Sequence, residues 1–152
     1  MDKMLKLPIW TTRIAAILLV LFVSMLTFLV WFEPPWLTYK NSPFPVLNSP
    51  VKLGGVVKLE VSRCSTAAVT RVYGLSRRLE CGDLMVPNNP PISLPAGVTS
   101  IEPGCGIIQS TANVIPVNAP IGWCRIRGFG ETQGVVKTHS IEWETKWFEV
   151  IP

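Results

Sequence analysis

The sequence predicts an all-β domain that follows one membrane-spanning α-helix near the N-terminus. Residues 14–32 carry no charged side chain and are almost entirely apolar. The chain after them holds all 4 cysteines and nearly all of the 14 prolines, a composition that favours short strands joined by turns over long helices. Apolar and polar residues alternate within 56–64, which is the period of a strand with one buried face.

Residues 14–32 are long enough to cross a bilayer as a helix. At a rise of about 1.5 Å per residue the stretch spans about 28 Å, close to the thickness of a hydrocarbon core. Trp10 and Arg13 lie at its start, and Trp31 and Trp36 lie at its end. Tryptophan and basic side chains are typical of the membrane interface, so we expect these four residues there.

A cleaved secretory signal and a buried core helix are the two other interpretations of this stretch. It is longer than the apolar part of a signal peptide, and FEPPW at residues 32–36 is unlike a small-residue cleavage site. A helix that is apolar on every face needs a large protein around it, which a chain of 152 residues does not supply. We therefore expect an uncleaved anchor in the lipid bilayer.

The basic residues around the helix predict its direction. Lys3, Lys6 and Arg13 lie at its N-terminal side, whereas Lys40 is the only lysine or arginine within 33–50. Because the flank richer in lysine and arginine stays in the cytoplasm, we expect the C-terminal part in the periplasm or outside the cell. The predicted organisation is a cytoplasmic N-terminus at 1–13, a transmembrane helix at 14–32, an extended proline-rich spacer at 33–50 and an extracytoplasmic β-sandwich domain at 51–152.

The β region opens with the clearest strand of the chain. Val57, Leu59 and Val61 alternate with polar residues, as in a strand that packs one face on a core. The remaining predicted strands are short and spaced as in a β-sandwich. They are Val69–Leu79, Gly106–Val117, Trp123–Phe129, Val135–Trp143 and Phe148–Ile151.

Glycine and proline mark the predicted turns and connections. Gly54-Gly55 is expected to form a turn before the first strand, and the glycine-rich residues 128–134 are expected to form a hairpin tip. Proline lacks the N–H that a sheet interior requires. Residues 87–95, with several prolines, are therefore predicted to connect the sheets or to follow a sheet edge.

The cysteines all lie in the part predicted to be outside the cytoplasm, where disulfides form. Their spacing is too long for a zinc site. Three pairings are possible, and sequential pairing would require the two cysteines of each pair to be opposed across a hairpin. Hairpin turns at 65–68 and 118–121 do not oppose them, so we prefer the pairs Cys64–Cys105 and Cys81–Cys124.

The sequence contains no recognised motif for catalysis, metal binding or cofactor binding. The only histidine is His139, in a predicted strand, where we expect a surface residue. Membrane-anchored Ser-Lys peptidases need no histidine, but Ser42 is followed by PFPV and not by their x-Met-x-Pro context. The basic residues are scattered, with Arg77-Arg78 as the only adjacent pair, so we expect solvated strand faces and no nucleic-acid site.

Four stretches of the β region carry a resemblance to known domains. They are SPVKLGGVVKLEVSRC at 49–64, LPAGVTSIEPGCG at 94–106, VIPVNAPIGWCRIRG at 114–128 and IEWETKWFEV at 141–150. With these stretches the chain from Asn48 onward resembles Ig-like extracytoplasmic domains of small single-pass membrane proteins encoded by tailed bacteriophages. The resemblance implies an Ig-like sandwich and a location outside the cytoplasm, and the pair Cys81 and Cys124 is not part of it.

These observations predict a membrane-anchored, non-enzymatic binding or adaptor protein, with a protein partner outside the cytoplasm and without cofactor, small-molecule substrate or nucleic acid. One alternative is a lysis-related or virion membrane protein that acts through its helix. Small residues that would allow close helix packing are confined to Ala15 and Ala16, which disfavours that alternative. The second alternative is a Ser-Lys-type membrane hydrolase.

Overall fold

The computed structural model describes residues 9–66, 72–95, 101–134 and 137–152. Within these residues one α-helix precedes nine strands, with a short 3-10 turn at Asp83–Met85. The elements are α1 (Ile9–Phe32), β1 (Leu37–Tyr39), β2 (Val51–Lys52), β3 (Val56–Ser65), β4 (Val72–Gly82), β5 (Ile92–Leu94), β6 (Gly104–Val114), β7 (Gly122–Gln133), β8 (Thr138–Glu144) and β9 (Phe148–Ile151).

Helix α1 is long and apolar enough to span a membrane. It contains the predicted stretch 14–32 and begins earlier, at Ile9. None of its residues is buried against protein, and Trp10, Arg13 and Trp31 are all exposed on it. A helix with apolar side chains on every face is the kind of surface that lipid covers.

The predicted spacer at 33–50 is largely part of the β domain, which begins at Pro35. β1 pairs with β3, and Trp36, which is expected at the membrane interface, is half-buried and packs against the core of the β domain. Phe44 is 2% exposed, and its N–H donates to the carbonyl oxygen of Glu144 at 2.7 Å. The prolines of this segment exclude a helix. They do not prevent burial of the phenylalanine between them, because burial of a phenylalanine side chain is worth about 1.5–3 kcal/mol.

The strands form two sheets. One has three strands in the order β1-β3-β6, and the other has six, in the order β2-β9-β7-β4-β5 with β8 also paired to β7. The named strand pairs are antiparallel except β2 with β9. Apolar side chains of both sheets form one buried cluster, and Val57, Leu59 and Val61 belong to it as their alternation predicted.

The two predicted hairpins that follow β3 and β6 are wrong. β3 pairs with β6, and β4 pairs with β7, so the chain changes sheet after β3 and again after β6. Residues 67–68 of the first predicted turn lie outside the described residues, whereas the second, 118–121, is a loop between sheets. Alternation shows which face of a strand is buried. Because the strands of both sheets alternate in the same way, it does not show which strands pair with each other.

Several predicted boundaries shift in the structure. The expected hairpin tip at 128–134 is strand up to Gln133, because β7 and β8 remain paired as far as Gln133 and Thr138. The predicted strand Val69–Leu79 is β4, which continues to Gly82, and residues 69–71 lie outside the described part of the chain. The proline-rich segment 87–95 includes β5, which lies at an edge of the six-stranded sheet as expected.

The turn before the first long strand is confirmed. The N–H of Gly55 donates to the carbonyl oxygen of Lys52 at 2.8 Å. Gly54 has a φ of +74°, a left-handed conformation that glycine adopts without steric cost.

Each disulfide joins directly opposed residues on neighbouring strands of one sheet. Cys64 of β3 lies opposite Cys105 of β6, and Cys81 of β4 lies opposite Cys124 of β7. Both bonds are formed, with 4.0 Å between the Cα atoms of each pair, and these are the pairs that the sequence favoured. Cys81 and Cys124 lie in the core at 3% and 0% exposure, whereas Cys105 is exposed.

Candidate functional site

A cavity of about 110 Å³ lies between the two sheets. A space of this size holds several water molecules or a small apolar group, since a cavity of about 150 Å³ can bind benzene. Its lining combines aromatic, apolar and basic side chains from both sheets: Tyr39, Phe44, Leu59, Val61, Arg63, Arg77, Ile101, Ile108, Ser110, Thr111, Ala112, Gly130, Ile141 and Trp143.

Three aromatic rings form one part of the lining. Tyr39 meets Phe44 edge to face with 5.2 Å between ring centroids, and Phe44 stacks on Trp143 at 5.6 Å. Trp143 lies opposite Gly128 in the β7–β8 pairing, and its indole ring occupies the space that a Cβ atom at position 128 would need. The glycine therefore sets the position of the tryptophan beside the cavity.

Arg77 places a guanidinium group on the inward face of the six-stranded sheet. It lies on the same face of β4 as Leu79 and Cys81, which are 1% and 3% exposed. Its Cζ atom lies 5.8 Å from the centroid of the Trp143 ring. The expectation that Arg77 lies on a solvated strand face is therefore wrong. The alternation from Cys81 back to Arg77 is the sequence signal that could have shown its inward position.

The hydrogen-bond acceptors of Arg77 are neutral. Its Nη1 donates to the carbonyl oxygen of Ala112 and to Oδ1 of Asn113, the latter at 3.0 Å. Its Nε is buried and has no hydrogen-bond partner within the described part of the chain. Burial lowers the pKa of Arg77 from its ordinary value, because a low-polarity surrounding disfavours the charged form.

Arg63 and Tyr39 add a second cation and a phenol to the same cavity. The ion pairs between described residues include neither Arg63 nor Arg77. Burial raises the pKa of Tyr39 above its ordinary value, and the positive charges of Arg63 and Arg77 act in the opposite direction. At neutral pH the cavity thus holds two cations and a protonated hydroxyl group, a set that favours an anion.

A second group of charged residues, on the outer face of the six-stranded sheet, is electrically balanced. Arg125 Nε lies 2.9 Å from Glu80 Oε2, and Arg125 Nη1 lies 3.1 Å from Glu144 Oε2. Arg127 lies 3.8 Å from an oxygen of each glutamate. Two arginines and two glutamates on three neighbouring strands stabilise the pairing of those strands and present little net charge.

The cysteines, the histidine and the serine that the sequence analysis considered do not line this cavity. Cys64, with its partner, lies on the outer face of the three-stranded sheet, and half-buried His139 is not among the lining residues. The Oγ of Ser42 accepts a hydrogen bond from the N–H of Glu144 at 3.2 Å. Among the residues that the structure describes, no group of histidine, cysteine and carboxylate side chains is placed to hold a metal ion.

Comparison of this chain with protein-family models, curated proteins and solved structures finds no match.

Proposed function

We propose that this chain is a membrane-anchored, non-enzymatic binding protein whose β domain lies outside the cytoplasm. The observation that carries the proposal is the cavity between the sheets. It is concave, mostly apolar, and supplied with a few polar groups that converge on it, which is the usual composition of a ligand site. Most of its lining residues sit on paired strands, which hold a site more rigidly than loops do.

The helix and the disulfides support the location. An apolar surface on every face of α1 fits a bilayer, and the basic residues that precede it favour a cytoplasmic N-terminus. Two disulfides in the β domain favour an oxidising compartment, because cytoplasmic thiols are kept reduced in most cells.

The finer fold and the source are part of the same proposal. Two sheets that share one core support an Ig-like sandwich. In antibody domains a disulfide joins the two sheets, whereas here each disulfide stays within one sheet. The resemblance from Asn48 onward supports a phage-encoded protein.

The lining supports binding in preference to catalysis. Ser110 and Thr111 bring hydroxyl groups to the cavity, but a nucleophile needs a neighbouring base to accept its proton. No histidine, lysine or carboxylate side chain is found among the described residues that line it. The arginines and Tyr39 can hold and orient a ligand without that chemistry.

The location is tested with two reporters fused after Pro152, one active only where disulfides form and one active only in the cytoplasm. We expect activity from the first and silence from the second. The opposite result would reject the proposed orientation.

Binding at the cavity is tested by a photo-crosslinking side chain in the full chain in its membrane. Ser110 lines the cavity and is exposed, so a crosslinker at 110 should give a discrete product of higher mass. The matched control is Gln109, an exposed neighbour on the same strand that does not line the cavity. Products from neither position, or equal products from both, would reject a binding site in this cavity.

A further inference from the structure

We propose that the cavity binds a carboxylate that carries an apolar or aromatic group, with the carboxylate held by Arg77 and Arg63 and the apolar group placed against Phe44 and Trp143. This proposal rests on the proposed binding function and names the chemistry of its ligand. Two kinds of molecule combine a carboxylate with an apolar group in this way: a free small carboxylic acid, and a peptide whose C-terminal residue is apolar.

The cavity is lined by two positively charged side chains. Arg63 and Arg77 both line the cavity, and neither takes part in an ion pair with a described residue. By contrast, Arg125 and Arg127, on the outer face of the six-stranded sheet, each contact two glutamates. Within the described residues, the cavity therefore has positive charge that no carboxylate pairs with, whereas Arg125 and Arg127 are balanced by these two glutamates.

The nitrogen atoms of Arg77 are not all hydrogen-bonded to described residues. Both of its observed acceptors, Ala112 O and Asn113 Oδ1, are bonded to Nη1, while Nε is buried without a partner in the described residues. A guanidinium binds a carboxylate through two parallel N–H donors, a geometry that a neutral carbonyl cannot match. Tyr39 adds a hydroxyl donor on the strand beside Arg63, since β1 and β3 pair with Tyr39 opposite Arg63.

The remaining lining decides what the carboxylate is attached to. Phe44 and Trp143 present stacked rings, and aliphatic side chains such as Val61 and Ile141 complete the surface. A fully hydrated anion such as inorganic phosphate would leave this apolar surface uncovered. A carboxylate with an apolar group fills the space beside these largely buried side chains and removes from water the apolar surface that still faces the cavity.

The experiment uses the full chain in lipid nanodiscs with ¹⁵N-labelled tryptophan, and the probe is 3-phenylpropionate. The indole signal of Trp143 is assigned with Trp143→Phe. We expect 3-phenylpropionate to shift this signal and not that of Trp123, which is outside the lining. The alcohol 3-phenylpropanol has the same apolar group without charge, and we expect it to bind at least about tenfold more weakly, as the loss of a charge-assisted hydrogen bond predicts.

Variants test the assigned cations. Arg77→Gln should weaken binding of 3-phenylpropionate about tenfold or more, and Arg63→Gln provides an independent test if the first variant folds poorly. The matched control is Arg78→Gln, because Arg78 is exposed, is the next residue on β4 and does not line the cavity. An unchanged affinity in both cavity variants would overturn the assignment of the arginines.

A second arm separates the two sources. A short peptide ending in phenylalanine is compared as free acid and as amide, with the Trp143 signal as readout. Binding of the free acid alone, without binding of 3-phenylpropionate, supports a peptide terminus, and the reverse supports a small acid. The proposal is overturned if each acid binds no more tightly than its neutral counterpart, the alcohol or the amide, or if none of these molecules binds. In that case a cavity-specific crosslink from position 110 would still support the binding function.

Discussion

Arg77 Nη1, on β4 of the six-stranded sheet, donates a hydrogen bond of 3.0 Å to Oδ1 of Asn113, on β6 of the three-stranded sheet. The same nitrogen also donates to the carbonyl oxygen of Ala112. This arginine therefore joins the two sheets at one side of the cavity. The contact explains why a charged side chain on the inward face is compatible with the fold, because its guanidinium group bonds to polar groups of the opposite sheet.

Replacement of Asn113 by alanine should reduce stability. The change removes the Oδ1 acceptor of Arg77 and the bond from Asn113 Nδ2 to the carbonyl oxygen of Pro95, which is 3.0 Å long. We expect the free energy of unfolding to fall by about 1–2 kcal/mol, measured by urea denaturation of the full chain in detergent. Gln109→Ala, at an exposed position on the same strand, is the control, and an equal loss in both variants would contradict the role of the contact.

Replacement of Gly128 by alanine should displace the ring of Trp143. A Cβ atom at 128 would overlap the indole ring, so the ring must leave its stacked position on Phe44. We expect a loss of about 1–3 kcal/mol, as for other overpacked cores, together with a changed near-ultraviolet circular dichroism spectrum. Gly106→Ala is the matched control, because a Cβ atom there meets no heavy atom within 4 Å. Unchanged stability and spectrum in Gly128→Ala would show that the cavity wall is not fixed in this way.

The two disulfides should be reduced in a fixed order. Thiol–disulfide exchange requires the reductant to reach a sulfur atom. Cys105 is exposed, whereas Cys81 and Cys124 are 3% and 0% exposed. Under limited reduction followed by alkylation, mass spectrometry should find label on the Cys64–Cys105 pair before the Cys81–Cys124 pair. Simultaneous labelling of both pairs would mean that reduction proceeds through global unfolding.

Stability should decline at alkaline pH because of Tyr39. Burial raises its pKa in the folded state above the ordinary value of 10.0. The folded chain then keeps a proton that the unfolded chain loses, so the contribution of Tyr39 to the free energy of unfolding is constant below about pH 10 and falls as the pH rises above it. Tyr39→Phe should remove this part of the decline in urea denaturation at pH 8, 10 and 11. A decline of the same size in the variant would assign it to other groups.

Much of the local structure could be predicted from composition and periodicity. Four predicted features depend only on residues close together in the chain, and the structure contains all of them: the helix, the strand around Val57, the turn at Gly54 and the edge position of 87–95. The inward position of Arg77 was also accessible from alternation, since Cys81 lies four residues further along the same strand. A positive charge nevertheless predicts a solvated face, because an isolated charge is rarely buried.

An apolar helix followed by a β domain with paired cysteines can be predicted without the fold, because apolar length, the period of alternation and cysteine content are properties of short segments or of composition. The packing of the sheets sets which strands are neighbours, brings Phe44 of the proline-rich segment into the core, and places Arg63 and Arg77 at one cavity. These features depend on contacts between segments distant in the chain. Strands with the same alternation are equivalent until packing of both sheets on one core selects among their possible partners.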